Sequence, residues 1–88
     1  MTLHTVCVLD DMTPQVLENV RAEALFVSDI QSSDALDSAR IRSAVMRSVR
    51  RHGTRGCAPL VAHEFGEHPE TAVSRMCWVL GLVRQAYR

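Results

Sequence analysis

Four side chains that can ligate a metal fall within 21 residues: Cys57, His63, His68 and Cys77. Zinc prefers such nitrogen and sulfur donors, but its structural sites use close pairs such as Cys-x-x-Cys. No such pair occurs here, and a turn separates His63 from His68. His63-Glu64 also lacks the second helical histidine of a zinc protease. Cys57 lies beside Arg55 at an expected helix start, a setting that favours the thiolate. No orienting acid or oxyanion site accompanies it. These residues therefore read as two cysteines packed in apolar surroundings and two surface histidines. No catalytic residue, metal or cofactor is assigned, and the chain is not expected to be an enzyme. Three cysteines at wide spacing (Cys7, Cys57, Cys77) make no disulfide framework.

Arginine is the other chemistry-bearing residue. The chain has no lysine, and its ten basic residues other than histidine are all arginine. Arginine carries a planar fork of donors suited to phosphate and carboxylate. The same bias follows from a GC-rich genome. The formal charge is zero, yet residues 1–39 hold seven acids and one arginine, whereas residues 40–88 hold nine arginines and three acids. The two halves either neutralise each other or leave a basic face for an anionic partner.

The elements that carry these groups follow from periodicity and capping. Leu3 to Leu9 (LHTVCVL) is a candidate strand or arm within residues 1–12. Thr13-Pro14 starts a helix, and Val16, Leu17, Val20, Ala24, Val27 and Ile30 recur at helical spacing, which predicts a helix from Pro14 to about Ser28. Ser33 or Asp34 caps a second helix, with Asp37 near its positive end. Its apolar stripe is Ile41, Val45, Ser48 and Val49. Arg40, Arg47 and Arg51 share another face, with Arg42 and Arg50 at its flanks. His52-Gly53 ends the helix, with glycine as its left-handed cap. Gly53-Thr54-Arg55-Gly56 is a loop. A short helix over 59–65 ends at Gly66, and Pro69 opens the last helix, which runs to about Gln85. Phe26 and Phe65 are assigned to the core, and Trp78 is expected to face it. No apolar run is long enough to span a membrane, and the N-terminus has no signal-peptide pattern. A cytoplasmic location is expected.

The run from Leu60 to Met76, LVAHEFGEHPETAVSRM, resembles the helix-turn-helix of bacterial sigma-factor region 4. In that reading Ala62 is small because the next helix crosses over it, and Val61 and Phe65 face the core. Gly66 takes a positive φ at the turn. Ala72, Met76 and Leu80 return to the core, and Thr71, Ser74 and Arg75 point outward. The resemblance implies that those three read bases and phosphates. Glu67 stands where the family is usually apolar, and Glu64, Glu67 and Glu70 gather at the turn. Arg55-Gly56-Cys57-Ala58, with His68-Pro69-Glu70-Thr71-Ala72 and Arg75-Met76-x-Trp78, is also similar to short, uncharacterised actinobacterial proteins.

The sequence thus predicts an all-α bundle of about four helices over residues 13–88, with the helix-turn-helix near 59–85. The leading expectation is a DNA-binding transcriptional regulator. Thr71, Ser74 and Arg75 would contact double-stranded DNA, supported by Arg47, Arg50, Arg51 and Arg55. A homodimer is expected from the thin core of so short a chain and from the reading of half-sites in pairs. The alternative is a protein-interaction module that binds no nucleic acid, whose acidic turn docks on a basic surface of the transcription machinery.

Overall fold

The structure is a computed structural model that describes residues 14–88. The candidate strand or arm at 1–12 and the capping role of Thr13 lie outside the described residues. Four helices follow one another: α1 (Pro14–Phe26), α2 (Ser38–His52), α3 (Cys57–Glu67) and α4 (Pro69–Ala86). The expected all-α class is what forms, and the described residues contain no strand.

Every helix packs against the other three, and the most extensive contact is between α1 and α4. Helix α1 buries Ala22, Ala24, Leu25 and Phe26. Ile41, Ala44, Val45 and Ser48 meet it from α2 at spacings of three and four, so that one stripe of that helix is apolar. Cys57 and Val61 enter the core from α3, and Ala72, Val79, Val83 and Ala86 from α4. Phe65 is half-buried and stacks on Phe26, with ring centroids 5.9 Å apart. Trp78 is half-buried against the same cluster.

Several boundaries differ from the sequence reading. Helix α1 stops at Phe26 rather than Ser28. The Ser28 hydroxyl bonds back to the Leu25 carbonyl at 2.6 Å, which closes the last turn. The cap of α2 is Asp37, not Ser33 or Asp34. Its carboxylate accepts from the Arg40 amide at 2.8 Å, while Asp34 accepts from the Gln31 amide in the preceding loop. The positive-φ glycine is Gly53 (φ 81°), whose amide donates to Val49 at the end of α2. Gly66 is helical, so it does not make the turn. α3 runs from Cys57 to Glu67, and His68 alone links it to α4. Ala62 is exposed, so no helix crosses over it.

Gly56 has a different reason for being glycine. A β-carbon there would lie 1.9 Å from the His52 carbonyl oxygen. The α2–α3 loop therefore folds back on the end of α2 closely enough to exclude any side chain at that position.

Candidate nucleic-acid interface

The seven residues assigned to DNA divide into three groups. Arg47, Arg51, Thr71 and Arg75 line one open groove of about 930 Å³ between α2, α3, α4 and the loop after α1. Arg50 and Arg55 are exposed outside it, at the end of α2 and in the following loop. Ser74 is exposed on α4 and does not line the groove.

Arg75 departs furthest from the expected outward position. It does not point outward. Its Nε donates to the Phe26 carbonyl at 2.7 Å, one terminal nitrogen to Ile30 at 3.1 Å, and the other to Ser28 at 3.0 Å. The guanidinium also lies 5.6 Å from the ring centroids of both Phe26 and Trp78. A helix end leaves its last carbonyls without partners, and here one side chain satisfies the final carbonyl of α1 and two beyond it. Partial burial lowers the Arg75 pKa from its ordinary value through desolvation. Arg75 is thus the clasp that holds the α1–α2 loop against α4. The sequence offered a signal for this: position 75 falls three residues after buried Ala72 and four before buried Val79, on the inward side of α4.

The other arginines are used unequally. Arg84 meets Glu18 through Nε and a terminal nitrogen, at 3.0 and 3.3 Å. Arg21 covers the Tyr87 ring at 3.8 Å, and Arg42 lies 5.8 Å from the same ring. Arg40 donates to the Ala35 carbonyl. Arg47 donates to Ser43 and stands 3.8 Å from Asp29 across the groove mouth, both side chains being largely solvated. Such a pair contributes little on its own. Arg50, Arg51 and Arg55 have no hydrogen-bond, ion-pair or ring partner among the described residues. Among the described residues, the pairs that join the acidic and basic halves are Glu18–Arg84 and Asp29–Arg47.

Helix α2 contains five arginines and no acid, with Arg50, Arg51 and His52 in its last turn. Cations there complement the negative end of the helix dipole, so the location is locally stable without any ligand. The groove itself is not uniformly basic. Glu64 and His63 of α3 line it, and Glu64 lies 3.6 Å from His68. Glu67 and Glu70 are exposed beside the α3–α4 junction.

Of the two described cysteines, Cys57 is buried as expected, whereas Cys77 is exposed rather than apolar-packed. Burial raises the Cys57 pKa, and the Glu23 charge raises it further, so the expected thiolate-favouring setting is absent. Arg55 does not offset this, and the thiol approaches the Gly53 carbonyl at 3.8 Å. Among the described residues no three His, Cys, Asp or Glu side chains come together as a metal-ligand set. No helix among them is long and apolar enough to cross a membrane.

The chain matches no protein-family model, no curated protein and no solved structure. Its functional reading therefore rests on the groove and on the arginines around it.

Proposed function

We propose that this chain is a small DNA-binding transcriptional regulator that meets the duplex with the C-terminal end of α2, the loop after it and the first turns of α4. The observation behind this reading is the distribution of arginine partners. Arg50, Arg51 and Arg55 have none among the described residues, and Arg51 and Arg47 share a groove with Thr71. Guanidinium groups clustered this way bind phosphate oxygens without reading sequence. Thr71 and the exposed Ser74 add hydroxyl contacts at the positive end of α4. Glu64 on the groove repels phosphate, so the duplex lies over the α2 end and not along the groove floor.

Titration against mixed genomic DNA fragments at low and moderate salt tests this. Four arginine–phosphate contacts give a log–log salt slope of about −3.6, or a loss of roughly a hundredfold between about 50 and 200 mM salt. The variant Arg50→Gln/Arg51→Gln/Arg55→Gln should flatten that slope by about three while keeping its fold. Absence of binding at the lower salt would sink the proposal.

A second reading draws on the exposed glutamates. Glu67 and Glu70 at the α3–α4 junction, with half-exposed Leu60 in the groove, form an acidic edge with an apolar contact. That combination suits docking on a basic protein surface of the transcription machinery, without nucleic acid. The same titration separates the two, because this reading requires no affinity for DNA at any salt.

A further inference from the structure

The outward face of α4 carries a pattern that DNA binding does not use. Glu70, Val73, Cys77, Gly81 and Arg84 recur at intervals of three and four and are all exposed. They form one stripe along roughly 21 Å of helix axis. Val73 is 53% exposed, the equal of any large hydrophobic side chain among the described residues. Between Glu70 and Arg84 the only charged residue is Arg75, which turns inward to the α1–α2 loop. A solvated helix face ordinarily carries charge. This one holds charge only at its two ends, and the charges are opposite.

We infer that this stripe is the interface for a second copy of the chain, with the two α4 helices packed antiparallel about a two-fold axis at Cys77. The arrangement is self-complementary in shape. Val73 and Gly81 lie four residues to either side of Cys77, so the axis sets each Val73 over the partner copy's glycine. A β-carbon built at Gly81 has no atom within 4 Å, which leaves that side of the helix open to an incoming side chain. The arrangement is also complementary in charge. Glu70 and Arg84 lie seven residues to either side of Cys77, so each glutamate faces the partner copy's arginine, at both ends of the contact. Arg84 keeps donors for this. Only its Nε and one terminal nitrogen are engaged by Glu18, and its side chain remains 63% exposed. An isologous contact requires every residue to meet its reciprocal partner, and this spacing meets that requirement at all five positions. Small residues at Cys77 and Gly81 let the helix axes approach closely, while Val73 supplies the apolar anchor. The inference uses none of the residues assigned to phosphate, although Ser74 borders the stripe.

The experiment uses the full chain carrying Cys7→Ser, so that Cys57 (buried) and Cys77 (exposed) are the remaining thiols. Sedimentation equilibrium should give twice the mass of the chain. Val73→Arg and Gly81→Arg should each weaken the dimer by about tenfold or more, with helical circular dichroism unchanged. Diamide should link two chains through their Cys77 thiols, which give up two hydrogens as the diamide is reduced to its hydrazine. Cys77→Ser should abolish the link. A monomer throughout the micromolar range, a dimer untouched by both arginine variants, or cross-linking that survives Cys77→Ser would each overturn the inference. Loss of DNA affinity with an intact dimer would instead bear on the preceding proposal alone.

Discussion

Replacing Arg75 separates an arginine that builds the fold from arginines that face a partner. Arg75→Ala removes three hydrogen bonds to the carbonyls of Phe26, Ser28 and Ile30. Bonds involving a charged group contribute about 1.5–3 kcal/mol each when fully effective. Two effects reduce their sum. The guanidinium is itself partly desolvated in the fold, and the freed carbonyls border an open groove that water can enter. The net loss is then about 2–3 kcal/mol, with the lost contacts to Phe26 and Trp78 included. For a domain of this size that lowers the melting temperature by roughly 10–20 °C.

A thermal melt followed by far-ultraviolet circular dichroism measures the effect. Arg75→Lys should recover less than half of it. A single ammonium cannot fan its donors across three carbonyls spread over five residues, and it offers no planar face to Phe26 and Trp78. The DNA arm of the same experiment is as informative. At a temperature where Arg75→Ala is folded, its affinity for DNA should match that of the unsubstituted chain, whereas Arg51→Ala should weaken binding without moving the melt. Unchanged melting of Arg75→Ala together with reduced DNA affinity would refute the assignment of Arg75 as a clasp.

Two further substitutions probe the loop and the core. Gly56→Ala forces a β-carbon against the His52 carbonyl, and Gly53→Ala strains a backbone at φ 81°, ψ 166° that glycine alone adopts readily. Each should destabilise the fold by about 1–3 kcal/mol in a denaturant titration, and wild-type midpoints for both would remove the argument for a tight α2–α3 loop. Glu23 is half-buried, and desolvation raises its pKa above the ordinary 4.5. A raised carboxylate pKa means that its stabilising contribution is complete below the unfolded value and is lost as pH rises through the folded one. Glu23→Gln should therefore raise the melting temperature at neutral pH, and the gain should disappear in melts below pH 4.5; a gain independent of pH would point to packing instead.

The helices were legible because their signals are local. Pro69 opens a helix where a fixed φ costs nothing, and Ile41, Val45 and Ser48 repeat at the spacing of one helix face. Gly53 ends α2 as its sequence position implies. The failures lie where neighbouring residues can fill one role. Gly66 looked like the turn because glycine is the residue of positive φ. The chain makes its reversal at His68 instead, where Pro69 fixes the start of α4 and leaves Gly66 free to remain helical. The cap of α2 moved from Ser33 or Asp34 to Asp37 for a similar reason. All three can cap, and Asp37 is the one placed to reach the Arg40 amide, the third of the helix.

The partition of the arginines was not legible, and the cause is physical. A residue's own helix fixes which face it occupies, but its partner is set by another helix. Arg75 and Arg84 stand on one helix nine residues apart. One reaches the carbonyls beyond α1 and the other a carboxylate at its start, because α1 lies alongside α4 over this whole length. Periodicity places Arg75 on the Ala72–Val79 side, and only the fold shows that three carbonyls wait there. The converse holds for Arg50, Arg51 and Arg55. Their composition is that of any solvated basic helix, and what distinguishes them is that no acid among the described residues pairs with them. Glu18 is taken by Arg84, Asp29 stands against Arg47, and Asp37 caps α2. A basic surface becomes a candidate site when the protein's own acids are committed elsewhere, and that commitment is a property of the packed molecule.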